Sequence, residues 1–246
     1  MTINNKKIAM WSGPRNLSTA MMYSFAARTD TTVVDEPYYA AYLAATKIIH
    51  PMHEQIIAEG ESDPVKIAHL CRGDNPQQKP IFYQKQMTKH MIPEFDRDWI
   101  DDVCNVFLIR EPARVIASYH VKHEDPELAD IGVKEQLEIF DRVCQKTGQA
   151  ALVIDSADIL DAPEKMLRAL CHSLDIEFQP SMLNWKTGPR SYDGVWAPHW
   201  YKSVWQSTGF GSPSKNEAQV PAHLLQLLDD ANVYFEQIQK YKLLAD

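Results

Sequence analysis

The sequence predicts an α/β fold of three layers: a central parallel sheet of about five strands with helices on both faces. Three observations lead there. Short apolar runs of strand length alternate with longer stretches of helical period. The runs are apolar on both of their faces, as strands covered on two sides are. Twice, such a run ends in a polar turn that leads straight into a helix.

Taken in order, strands are expected at Lys7–Ser12 (KIAMWS), Thr32–Asp35, Ile81–Lys85, Val103–Ile109 and Ala151–Asp155. Helical patterns cover Leu17–Ala27, Tyr39–Glu59, Arg114–His120 and Val133–Lys146. Asp161 as N-cap, Pro163 in the first turn and Glu164 as capping-box partner open a further helix that reaches about Leu174. A last helix is expected from about Ala222 to Leu243. Phe178–Asn216 has no period, yet it holds Trp185, Trp196, Trp200 and Trp205; a long aromatic loop of this kind is expected to cover a ligand. The expected organisation is one domain over residues 1–246. A helical insertion at about 38–73 would line an acceptor site, and the loop at about 178–216 would cover it.

The chain has 246 residues, 45% of them hydrophobic and 10% aromatic, enough to bury a sizeable core. Lys and Arg total 25 against 33 Asp and Glu, a formal charge of -8, which argues against a nucleic-acid partner. The first apolar run is too short for a signal peptide, and no stretch approaches the roughly 20 apolar residues of a membrane span. Cys71, Cys104, Cys144 and Cys171 are scattered without a CxxC spacing; they are expected to be buried reduced thiols of a cytoplasmic protein. His50 with His53, and His120 with His123, lack an evident third ligand, so no metal is expected. Residues 1–29 contain no acid at all. That asymmetry predicts a basic pocket sized for a small nucleotide inside an acidic shell, and a small-molecule acceptor. Oligomeric state leaves no signal in the sequence.

The chemistry concentrates in two segments. Ser12-Gly-Pro-Arg-Asn-Leu-Ser-Thr19 leaves the first strand and enters a helix, where backbone amides and a helix N-terminus bind phosphate. Gly13, Pro14, Asn16 and Leu17 form the turn, Arg15 supplies charge, and Ser18 and Thr19 supply hydroxyls. The segment departs from the triphosphate loop GxxxxGK[ST]: Leu17 stands where the second Gly would be, and no Lys precedes Ser18. The second segment, Val106 to Ser118, repeats the strand, polar turn and helix. Arg110 stands at the strand's carboxyl end, where open α/β sheets bind ligands, and Ser118 follows eight residues later.

Together these segments resemble the sulfotransferase family, which uses 3′-phosphoadenosine 5′-phosphosulfate (PAPS). Pro14 to Thr19 matches the family's 5′-phosphosulfate loop, P-[KR]-x-G-[ST]-[ST], apart from Leu17. Arg110 and Ser118 reproduce its 3′-phosphate motif, and Asp155 to Ile176 is similar to its strand, dipeptide and Pro-Glu-capped helix. The resemblance spans roughly residues 7–176 and is nearest to bacterial sulfotransferase-like proteins with a P-loop-type fold, given Asp35-Glu36-Pro37 after the second strand. It differs at Ala20, where the family has an adenine-stacking aromatic, and at Met87, where a Lys-x-His strand end has histidine.

The resemblance implies an enzyme that moves a sulfuryl group from PAPS to a hydroxyl or amine of a small acceptor. Ser18 and Thr19 would hold the 5′-phosphate and Arg110 and Ser118 the 3′-phosphate, with Arg190 and Gly194 as a weaker echo of the family's C-terminal grip. Arg15 and Lys85 are the cations assigned to the transferring group and the leaving phosphate. His90 is the first candidate base, an unperturbed imidazole being partly neutral at pH 7, with Glu36 and His120 as rivals. Two other functions stay open at this point. One is a nucleotide- or partner-binding sulfotransferase-like protein without catalysis; the other is a P-loop kinase or nucleotide hydrolase.

Overall fold

The computed structural model describes residues 5–213 and 216–245, so residues 1–4, 214–215 and 246 of the expected domain lie outside the described residues. Five parallel strands form one sheet: β1 (Lys6–Ser12), β2 (Thr31–Asp35), β3 (Ile81–Met87), β4 (Cys104–Ile109) and β5 (Leu152–Asp155), in spatial order β2-β3-β1-β4-β5. The α/β class and the five strands agree with the expectation.

Alternation along the strands explains the two layers. Ala9, Trp11, Phe107, Ile109 and Val153 face one side. Ile8, Met10, Ile81, Tyr83, Val106, Leu108 and Ile154 face the other. The second face packs α1 (Ser18–Ala26), through Met21, Met22 and Phe25. Between β2 and β3 lie α2 (Tyr39–Thr46), α3 (His53–Glu59) and α4 (Pro64–Arg72). The first face packs α4, α5 (Pro112–His120) and, after the short α6 (Leu128–Ile131), the long amphipathic α7 (Val133–Thr147). Beyond β5 come α8 (Ser156–Asp161) and α9 (Pro163–Ser173), the latter burying Met166, Leu167 and Leu170 on the second face. The segment 178–216 carries two single turns, α10 (Ala197–Trp200) and α11 (Lys202–Trp205), and α12 (Leu225–Gln239) closes the first face with Ala231, Phe235 and Ile238.

Several expected boundaries are corrected. The pattern over Tyr39–Glu59 is two helices, because Lys47 (φ 56°) and Met52 (φ 65°) turn left-handed on either side of Pro51. Asp161 ends α8 and does not cap α9, whose N-cap is Ala162 with no side-chain bond; Glu164 instead pairs with Arg168. Helix α4 lies within the expected helical insertion but had no pattern of its own assigned, although Asp63 caps the Val65 amide at 2.9 Å and Pro64 fills the first position. The four cysteines are all free, but only Cys71 and Cys171 are buried; Cys104 is exposed and Cys144 half-buried.

Register brings the functional ends together. Ser12 pairs with Met87 and Leu108, Asp35 with Lys85, and Ile109 with Asp155, so every strand's carboxyl end meets one edge of the sheet. Strand order turns at β1, whose neighbours β3 and β4 both come later in the chain. Open parallel sheets bind ligands outside such a point.

Candidate active site

A cleft of about 540 Å³ opens along that edge. Its floor is the β1–α1 loop: Pro14, Arg15, Asn16, Ser18 and Thr19 line it. Gly13 lets the loop pass close to α6, since a Cβ there would stand 2.5 Å from the Ile131 carbonyl oxygen. Asn16 pins the turn by donating to the Leu108 carbonyl at 2.9 Å and accepting the Leu17 amide at 2.7 Å. Leu17 points away and packs on the second-face core. No side chain caps the first turn of α1, so its end of the helix carries a partial positive charge without a protein anion on it.

Arg15 holds a left-handed backbone (φ 55°) and joins the two sequence motifs. Its Nε donates to Ser118 Oγ at 2.9 Å, while the Arg110 guanidinium donates to its carbonyl. Among the described residues neither Arg15 nor Arg110 is paired with a carboxylate. Burial lowers the pKa of both, and for Arg110 the charges of Arg114 and Arg15 lower it further. Arg110 also lines a neighbouring cleft of about 430 Å³ with Glu111, Arg114, Asp155 and Ser156. Two half-buried guanidiniums side by side, neither paired with a carboxylate, have the charge and the donors to meet a dianion.

The opposite wall is anchored on Lys85, only 1% exposed in the middle of the edge. Its ammonium lies 2.9 Å from Asp35 Oδ1, 2.6 Å from Glu36 Oε1 and 2.5 Å from the Tyr201 hydroxyl. Tyr201 in turn donates to Asp35 at 2.7 Å and accepts from Trp196 Nε1 at 3.1 Å. Gly194 donates its amide to Asp35 Oδ2 at 3.1 Å. Burial alone would lower the Lys85 pKa, but Asp35 and Glu36 hold it above its ordinary range. Two carboxylates around one ammonium leave one negative charge in excess. Burial therefore pushes the Glu36 pKa up, and Asp35 adds to it against the pull of Lys85.

Glu36 also sits left-handed (φ 40°), with its amide donated to the Lys85 carbonyl at 2.9 Å. Its second oxygen takes no hydrogen bond among the described residues and stands 3.9 Å from His90 Nδ1. His90 is sandwiched between the rings of Tyr39 (4.6 Å) and Tyr42 (4.8 Å), and its buried Nδ1 has no partner. Burial, then the charge of Lys89, holds its pKa well below the usual imidazole range.

The fold thus brings Arg15, Ser18, Thr19, Lys85, His90 and Glu36 to one cleft, with Arg110 and Ser118 joined to it through Arg15. Two candidates lie elsewhere. Arg190 spends its guanidinium on the carbonyls of Lys186, Thr187 and Pro189 and is not among the cleft's lining residues. His120 donates from Nδ1 to the Glu124 carbonyl, 2.6 Å away at the outer end of α5. Sequence reasoning missed Asp35 and Tyr201, which complete the Lys85 cluster, and Tyr39, His50 and Lys89, which line the cleft. Asp35 had a signal, standing beside Glu36 at a strand end. Tyr201 had none, lying in a segment without period.

A family model described as "Sulfotransferase domain" matches residues 6–240. Two proteins of Arabidopsis thaliana are similar in sequence: branched-chain-amino-acid aminotransferase-like protein 1, 40% identical over 223 residues, and protein 2 of that name, 36% identical over 223 residues. Each alignment covers 90% of this chain but only 40% and 39% of the relative, so the chain spans about two fifths of the length of the curated relatives it matches. Among solved structures, the sulfotransferase domain from the curacin biosynthetic pathway superposes with a TM-score of 0.57 at 14% identity, covering 96% of this chain and 98% of that one. That likeness speaks for the fold.

Proposed function

The chain belongs to the sulfotransferase family, and from that premise we propose that it transfers a sulfuryl group from PAPS to a hydroxyl or amine of a small acceptor. The observation that carries the reading is the pairing of Arg15 with Arg110, two unneutralised guanidiniums at the ends of β1 and β4, of which Arg15 shares its cleft with a lysine–carboxylate cluster and Arg110 lines the cleft beside it.

The donor supplies an activated sulfuryl group; the remaining tasks fall to the chain. Arg15, the free first turn of α1 and the Ser18 and Thr19 hydroxyls meet the 5′-phosphate end. Arg110 and Ser118, tied to each other through Arg15, suit a second phosphate. The acceptor oxygen must lose a proton as it bonds to sulfur, and Glu36 is better placed to take it than His90. Its pKa moves up toward working pH while that of His90 moves away, and its free oxygen faces the cleft side. When the proton arrives on Glu36, Lys85 loses one of its two counter-charges. Its field at the reacting centre then grows as negative charge builds on the departing phosphate oxygen. Arg15 stabilises that oxygen without giving up a proton.

The test is direct. Adenosine 3′,5′-bisphosphate at about 100 times its Kd adds about 2.7 kcal/mol to stability, a rise in Tm of about 5–10 °C for a chain of this size. Arg110→Ala is expected to abolish the rise. No shift at millimolar ligand sinks the proposal; a shift without transfer of labelled sulfate from PAPS to an acceptor pool leaves the non-catalytic reading, which the full neutralisation of Lys85 favours.

A further inference from the structure

We propose that the small acceptor carries a carboxylate, and that Lys89 receives it in the cleft. The inference rests on the function proposed above and names the substrate class of the same site.

Lys89 follows β3 in a short turn and lines the cleft, yet it is only 8% exposed. Among the described residues its ammonium makes no hydrogen bond and no ion pair; its one defined contact is the face of the Tyr119 ring, 5.8 Å away. The other cations of the cleft have partners within the chain or, for Arg15, the donor phosphate assigned above. Lys85 holds Asp35 and Glu36, Arg15 holds Ser118, and Lys122 lies 4.7 Å over the Trp200 ring while donating to the His199 carbonyl. An ammonium carried on so buried a side chain, with no counter-ion paired to it, gains from a ligand that provides one.

Its placement is built into the backbone. Thr88 donates to the Gly132 carbonyl at 2.7 Å, and Gly132 (φ 69°) lets the turn approach α7: a Cβ there would stand 2.8 Å from Thr88 Oγ1 and 3.5 Å from Lys89 Cβ. The nearest acids do not close the gap. Asp130 attracts Lys89 without pairing, because its Oδ2 accepts the Glu127 amide at 3.0 Å in the cap of α6. Burial pushes the Lys89 pKa down, as expected of a cation lacking a partner. Its other charged neighbours are Glu36, Glu135 and His50. His50 adds no competing charge at neutral pH, since burial, with Lys89, lowers its pKa to about 4. Tyr39, Trp196 and Trp200 line the same cleft. An acceptor spanning it would present its hydroxyl to Glu36 and its carboxylate to Lys89.

Two matched probe pairs test this by equilibrium binding to the bisphosphate-loaded protein: 4-hydroxyphenylacetate against 4-methylphenol, and 6-hydroxyhexanoate against 1-hexanol. At least one carboxylate is expected to bind ten times or more tighter than its uncharged partner. Lys89→Met should bring that ratio to about one, and Lys89→Arg should restore most of it. Equal binding within both pairs, no binding by either carboxylate, or a preference that survives Lys89→Met overturns the inference. If Lys89→Met does not fold, the wild-type ratio and its change in Lys89→Gln decide in the same terms. The bisphosphate melting shift of the wild-type protein separates the two readings. A shift without carboxylate preference defeats this inference alone, whereas no shift defeats the proposed function.

Discussion

Arg15 and Arg110 stand at the ends of β1 and β4, and Lys85 stands on β3, along one edge of the same sheet, yet the chain treats them in opposite ways. The arginines are half-buried, adjacent and paired with no carboxylate among the described residues, so their charge stays available to the two clefts they line. Lys85 is enclosed by two carboxylates and a tyrosine hydroxyl, so its charge is satisfied at home. The difference separates two jobs that a count of basic residues merges. Unneutralised guanidiniums are ready to receive an anion; a neutralised ammonium holds a wall in place and waits for one of its partners to change protonation.

Removing Lys85 should strike hardest, because it strands Asp35 and Glu36 in the interior. Lys85→Met is expected to cost about 3–5 kcal/mol in urea unfolding; a loss under about 1 kcal/mol would show that the cluster is not a closed ionic unit. Tyr201→Phe keeps the ions and removes one hydroxyl that bonds Lys85, Asp35 and Trp196. The expected loss is about 1.5–3 kcal/mol, the range for hydrogen bonds to charged groups, and an unchanged unfolding midpoint would mean that water replaces it without penalty. The smallest effect belongs to the other member of the comparison. Arg110→Ala without ligand is expected to shift stability by less than about 1 kcal/mol, since losing its bond to the Arg15 carbonyl is offset by relief from Arg15 and Arg114. A large destabilisation would make Arg110 a structural residue and erase the contrast.

Much of this arrangement is legible in the sequence, and the reasons differ from region to region. Strands show because both of their faces are apolar, as in the alternation of Met10 and Trp11 to opposite cores. Their ends are less sharp: β3 runs on to Met87 because Gln84, Gln86 and Met87 are buried although only some of them are apolar. Polarity hides a strand whose side chains are satisfied inside, as Gln84 is by the Cys71 carbonyl at 2.6 Å. The residues of the β1–α1 loop and the β4 end show because local backbone chemistry restricts their types, Gly13 by close approach and Arg110 by its place at a strand end. Tyr201 and Lys89 stay hidden for the opposite reason. Their importance comes from what distant segments bring to them, Asp35 in one case and the Gly132 turn in the other. The break in the Tyr39–Glu59 pattern lay in plain view at Pro51, and the periodicity on either side masked it.

Several side chains hold the segment that carries Tyr201, among them Tyr23, Lys85 and Lys122, and Asp35 binds it at two residues. Asp35 takes the Gly194 amide on one oxygen and the Tyr201 hydroxyl on both. One backbone proton, that of Gly194, is therefore a reporter for the Asp35 anchor. It is shielded from solvent deuterium while that anchor holds and exchanges when it parts, so its exchange rate counts the local openings of this wall of the cleft.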